Sequence, residues 1–293
     1  MIKKIVLPAA GGGTRLLPVT KEMPKEMLPI FALDTHSKMC VKPLLQIVFE
    51  QFYDFGVREF CFVVGRGKKS ISDHFTSDQM YLRALIERDK QKLAKELGGF
   101  YNKIRSSSLV YVSQPEPKGF GDAVLRAEPY VNEPFLVQAG DTLILSKKNN
   151  HLRRLLKIHE KYSCSATFFV QEVGDPRPFG IIEGKEIETG VFNVESLFEK
   201  PEKPPTNLAI SALYAFDTVI FKALKDTADG KAGELQLTDG IQKLVHNGLK
   251  VMAIKLAKDE LWLDIGNPLS YWQALSNSYG FFKTMEQSLT SST

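Results

Sequence analysis

The chain has 293 residues, 43% hydrophobic and 25% charged, enough apolar material to fill the core of one large α/β domain or two small ones. Its formal net charge of +4 is spread along the chain without a long basic block, so no nucleic-acid footprint is expected. Three widely spaced cysteines argue for free thiols over a disulfide framework or zinc site, and no apolar run approaches the roughly 18 residues of a membrane span, so a cytoplasmic protein off the membrane is expected.

In chain order, the first strand is predicted over Ile5 to Pro8, a helix over Pro43 to Phe55 closed by a C-cap at Gly56, and a second strand over Glu59 to Val64. Asp78 to Leu97 has an amphipathic helical pattern ending at Gly98-Gly99, which reads as an insertion packed on the flank of the sheet or against a partner subunit. Further strands are predicted over Leu109 to Ser113, Pro134 to Gln138, Ala166 to Glu172, Leu208 to Phe216 and Val251 to Leu256. This alternation builds an α/β fold with a mostly parallel sheet covered by helices. Glu199 to Pro205 is too rich in proline for a helix or central strand and is read as a stiff loop, and the tail after Glu286 as frayed.

Between the first strand and the first helix runs Ala9-Ala10-Gly11-Gly12-Gly13-Thr14-Arg15, then Pro24-Lys25-Glu26-Met27-Leu28-Pro29. Small residues allow close approach of backbone to a ligand, adjacent N–H groups cradle anionic oxygens, and Arg15 and Lys25 bring cations to a polyphosphate. A nicotinamide-dependent oxidoreductase would need G-x-G-x-x-G opening into a helix, which the prolines at 18, 24 and 29 interrupt. The Walker pattern is also missing. Asp141, after the strand ending near Gln138, and Asp264, in Leu261-Trp262-Leu263-Asp264, set carboxylates at strand ends, where α/β ligands and a hard Mg²⁺ ion are commonly held.

The segment from Ala9 to Pro29 resembles the A-A-G-x-G-T-R and P-K-x-x-L-P signature of the sugar-phosphate nucleotidylyltransferases, most of all their bacterial uridylyl branch. The resemblance continues through Gln114 to Ala123, Asp141, Phe179-Gly180-Ile181-Ile182, Glu199-Lys200-Pro201, Gly233 to Asp239 and Asp264. It implies a Rossmann-like mixed, mostly parallel sheet flanked by helices, the nucleotide-diphospho-sugar transferase fold, without a C-terminal β-helix. One domain over residues 1–286 is expected, its nucleotide-binding half at about 1–145 and its sugar-binding half at about 146–286, with 287–293 as the frayed tail.

The implied reaction joins UTP to glucose-1-phosphate and releases pyrophosphate with Mg²⁺, in a homodimer or homotetramer. Arg15, Lys25 and Lys200 are then catalytic, and Ala10, Gly11, Gly12, Gly13, Thr14, Gln114, Gly119 and Asp141 bind the nucleotide. Gly180, Glu199, Lys200 and Glu234 bind the sugar phosphate, and Asp141 and Asp264 the metal. Three departures stand out: Asp122 where the bacterial enzymes usually carry His, Thr142 for a second Asp, and Ala212-Leu213 for Gly-Arg. A thymidylyl or other sugar-1-phosphate transferase is the alternative within the family, and a non-catalytic sugar-nucleotide sensor the alternative outside catalysis.

Overall fold

A computed structural model describes residues 2–228 and 233–290. Strand β1 (Lys4–Ala9) is buried throughout, with Ile5 and Leu7 facing one apolar layer and Val6 the other, the pattern of a strand covered on both faces. After it come three short 3-10 turns, Thr14–Leu16, Val19–Lys21 and Lys25–Met27, in place of a helix. Pro18 and Pro24 remove the backbone donors a continuous helix would need. A hairpin of β2 (Pro29–Leu33) and β3 (Met39–Pro43), unforeseen in the sequence, leads into α1 (Leu44–Phe55). Gly56 closes α1 as expected, at φ 113 with its N–H donating to Phe52 and Tyr53.

Strand β4 (Glu59–Val64) and α2 (Lys69–His74) come next, then two insertion helices, α3 (Gln79–Glu87) and α4 (Gln91–Arg105). The break falls at Asp89, at φ 56, and not at the glycine pair. Helix α4 runs on through Gly98-Gly99 because Phe100, Tyr101 and Ile104 beyond it bury against the core, a tertiary gain that outweighs the cost of glycine in a helix.

The chain continues through β5 (Ser108–Ser113), α5 (Phe120–Leu125), β6 (Phe135–Gln138), β7 (Thr142–Leu145), α6 (Asn150–Lys161), β8 (Ala166–Glu172), β9 (Gly180–Glu188) and β10 (Val191–Glu199). It ends with β11 (Leu208–Phe216), α7 (Val219–Lys225), α8 (Leu237–His246), β12 (Val251–Lys255), β13 (Leu261–Asp264) and α9 (Pro268–Thr290). The stretch 287–290, read as frayed, is thus the last turn of α9; residues 291–293 lie outside the described residues.

Among the described residues the main sheet has nine strands in the order β5-β4-β1-β6-β11-β8-β12-β10-β9. Strands β10 and β11 run against the other seven, so the sheet is mixed, with most strands sharing one direction. Helices α1, α6 and α9 contribute to one apolar layer and α5, α7 and α8 to the other. Strands β7 and β13 pair with each other as a separate ribbon, so Asp264 ends a strand outside the main sheet. None of the described helices is long and apolar enough to cross a membrane.

His151 on α6 is fully buried; burial first, and then Arg154, pulls its pKa down to about 3. Its folded pKa therefore lies below the unfolded value near 6.5, so the unfolded chain takes up the proton first. Stability is full above that unfolded pKa and falls as pH drops from about 6.5 toward 3, by about 2 kcal/mol at pH 5 from this group. Urea unfolding at pH 7.5 and 5 is expected to show this loss, and His151→Met to lose about 2 kcal/mol less between the same two pH values. Equal losses would contradict it.

Candidate active site

The carboxyl ends of β1, β5 and β6, all parallel, deliver the Gly-rich loop, Gln114 and Asp141 to one edge of the sheet, where open α/β sheets hold ligands. A cavity of about 410 Å³ there is lined by Ala10, Gly11, Gly12, Thr14, Lys25, Gln114, Gly119, Asp141 and Glu234 among others. A second, of about 190 Å³, is lined by Gly180, Glu199, Lys200, Thr142, Ala212, Trp262 and Asp264. The two share Phe120, Ala139 and Asp141, so they adjoin at these residues.

The turn bearing Asp141 is fixed from three sides. Gly140 N–H donates to Pro8 O (2.9 Å), Ala139 N–H to Ala212 O (3.1 Å), and Ile265 N–H to Asp141 O (3.0 Å). Inside it, the fully buried Gln138 amide donates to Thr142 O at 2.5 Å. Lys25 Nζ donates to Asp141 Oδ2. Burial alone would lower the Lys25 pKa, but Asp141, Glu26 and Asp264 outweigh it and hold the ammonium above its ordinary value. Burial would likewise raise the Asp141 carboxyl, and Lys25 overrides it downward.

Asp264 is pushed up to about 6, by burial first and then by the charge of Asp141. The register sets Asp264 opposite Thr142, next to Asp141. Two crowded carboxylates of this kind suit a hard divalent cation that completes its shell with phosphate and water. Among the described residues no cluster of three or more acidic, His or Cys side chains offers an all-protein cage. Thr142 contributes only a long 3.5 Å contact to Asp141.

Beneath the pair lies one that the sequence did not reveal: Glu26, 1% exposed, accepts from Lys68 Nζ at 2.8 and 2.9 Å. Burial pushes the Glu26 carboxyl up and the Lys68 ammonium down, so each depends on the other to stay charged. Lys68→Met, which leaves Glu26 buried and unpaired, is expected to cost about 3–5 kcal/mol in denaturant unfolding. A loss below about 1 kcal/mol would show that the pair adds little.

On the far side, Glu199 accepts from Thr238 Oγ1 (2.7 Å) and pairs with Lys200 Nζ (2.8 Å). Lys200 sits at φ 42, and Ala212, in the irregular stretch of β11, at φ 55. The latter is a backbone for which glycine is best suited, the residue type expected from the resemblance at 212.

Not every expected residue lines a cavity. Gly13, at φ 64, shapes the turn and accepts from Thr20 Oγ1 (2.7 Å), while Arg15 lies on the Asp264 side, near enough to lower that carboxyl. Glu234, expected to bind the sugar, lines the first cavity beside Gln114 and Gly119. Phe120, Thr238 and Trp262 also line the cavities; Phe120 and Thr238 lie in the segments that carry the resemblance, and Trp262 has no local pattern that separates it from a core residue.

The chain matches the nucleotidyl transferase family over residues 3–279. It is 36% identical to the UTP–glucose-1-phosphate uridylyltransferase of Pseudomonas aeruginosa, over 97% of this chain and 99% of that one. It is 38% identical to the Bacillus subtilis protein of the same name, over 83% of this chain and 80% of the relative. Its fold superposes on a UDP-glucose pyrophosphorylase solved in complex with UDP-glucose, with a TM-score of 0.80 and 33% identity over 96% of this chain and 99% of that one.

Proposed function

The chain belongs to the nucleotidyl transferase family, and we propose that it is an enzyme that transfers the uridylyl group of UTP to glucose-1-phosphate, giving UDP-glucose and pyrophosphate. The observation that carries this reading is the meeting of the two cavities at Asp141, with Lys25 bound there, an amide at Gln114 on one side and Glu199-Lys200 on the other. UTP lies in the first cavity, its phosphates along Ala10 to Thr14 and its base at Gln114 and Gly119. Glucose-1-phosphate lies in the second, along Gly180 and Glu199, with Glu234 reaching the sugar from the first cavity.

An oxygen of the sugar phosphate attacks the α-phosphorus of UTP in line; that P–O bond forms as the bond to the β-phosphate oxygen breaks, and pyrophosphate departs. Lys200 orients the attacking phosphate, and Lys25 and Arg15 receive the negative charge that develops on the leaving group. Asp141 and Asp264 would hold Mg²⁺, which would neutralise phosphate charge. The attacking phosphate is already anionic at neutral pH, so the chain needs neither a protein nucleophile nor a general base. The active species is a homodimer or homotetramer in the cytoplasm.

A pyrophosphate-release assay over a grid of nucleotides and sugar-1-phosphates, with Mg²⁺, tests the reading. The expected maximum is UTP with glucose-1-phosphate. A maximum with dTTP favours the thymidylyl alternative, and UDP-glucose binding without any release favours the sensor.

A further inference from the structure

Gln114 is 4% exposed, and its amide is already committed. Nε2 donates to Gly119 O (3.0 Å) and to Asp122 Oδ2 (2.7 Å). Both partners are pure acceptors, so the nitrogen must face them and Oε1 must face away. The Asp122 carboxylate is itself held by Arg126, whose Nε donates to the same Oδ2 at 2.8 Å. Gln114 lines the first cavity, and its side-chain hydrogen bonds among the described residues are the two that Nε2 donates.

We propose that Asp122 is a positioning residue for base specificity: by taking the Gln114 N–H, it leaves a lone acceptor toward the base and so selects a pyrimidine with an N3–H donor. This rests on the reading that the nucleotide base lies at Gln114. Uracil and thymine carry that N3–H; cytosine carries a bare N3 acceptor, which would face Oε1 acceptor to acceptor. Accommodating cytosine would require the amide to flip, turning Oε1 against the Gly119 carbonyl and the Asp122 carboxylate. A charge-assisted hydrogen bond resists that flip far more than a neutral one. The N3–H is common to uracil and thymine, so Asp122 has no influence on the choice between them.

The test measures kcat/KM for UTP, CTP and dTTP, each with glucose-1-phosphate and Mg²⁺, in the wild type, Asp122→Asn and Asp122→Glu. Asparagine has the same shape at a side chain that is 17% exposed, so folding is retained; it offers Gln114 only a neutral acceptor, or a donor if its amide turns away from Arg126, so the resistance to the flip weakens and the UTP:CTP ratio is expected to fall roughly tenfold. The UTP:dTTP ratio stays at the wild-type value, and Asp122→Glu, which still accepts, keeps most of the UTP:CTP selectivity. A proportional loss for all three nucleotides in Asp122→Asn would mark a merely structural residue and overturn the proposal. So would a wild type that uses CTP as well as UTP. A wild type inactive with all three pyrimidine nucleotides would overturn the functional reading itself, and is seen before any variant is made.

Discussion

Lys25→Ala is expected to lower kcat by about 10²–10³ at saturating UTP and glucose-1-phosphate, the magnitude typical of losing one charged or hydrogen-bonding group aimed at developing negative charge. Charge on the departing pyrophosphate appears only as the bond breaks, so kcat and kcat/KM should fall together, with KM for UTP changing little. The fold should survive, because Asp141, 18% exposed, retains access to water through the cavity. Thermal unfolding within a few degrees of the wild type, together with the rate loss, is the expected pair of results. A fall below about fivefold would remove Lys25 from its role.

Gly119→Ala is expected to be the most damaging glycine substitution in the site, costing about 2–4 kcal/mol in stability and raising KM for UTP at least tenfold. At φ 101 and ψ 167 the backbone suits glycine alone, and an added Cβ would stand 2.3 Å from Leu235 O and 2.9 Å from its carbonyl carbon. Leu235 cannot withdraw cheaply: its N–H donates to Lys118 O and its carbonyl accepts from Gly121 N–H, both at 2.8 Å. Displacing Gly119 would also move the carbonyl that Gln114 holds. Gly99→Ala is the control, since a Cβ there meets nothing within 4 Å inside α4; it should stabilise the protein by about 0.5–1 kcal/mol. Denaturant unfolding of both variants, with UTP kinetics for the first, checks the contrast.

The central strands were legible because burial on both faces writes them as uninterrupted apolar runs; Glu59–Val64, Ala166–Glu172 and Leu208–Phe216 fall where those runs predict, whereas β9 and β10, partly exposed along much of their length, carry no such run and were not predicted as strands from the pattern. The β2–β3 hairpin was not, since Met39 to Pro43 is only half-buried and merges with the helix pattern at Pro43. The break at Asp89 escaped for a similar reason: it is one left-handed residue, whereas Gly98-Gly99 looked like a terminus and is a place where Leu82 of α3 comes close. At the site, loop chemistry pointed to the glycine run and Lys25 of the first cavity, and the resemblance to Gln114, Gly119 and Glu234 there and to Gly180, Glu199 and Lys200 of the second. The Lys68–Glu26 pair joins residues 42 apart in sequence, and the Asp122–Gln114–Gly119 triangle depends on amide orientation, so only tertiary structure brings either into view.

The central claim, direct transfer between two bound substrates where the cavities meet, is tested most directly with UTP labelled at the α-phosphorus. With Mg²⁺ and no sugar phosphate, the protein should carry no label and release no pyrophosphate; adding glucose-1-phosphate should release pyrophosphate and move the label into UDP-glucose in equal amounts. Label retained on the denatured protein, or pyrophosphate released from UTP alone, would contradict it.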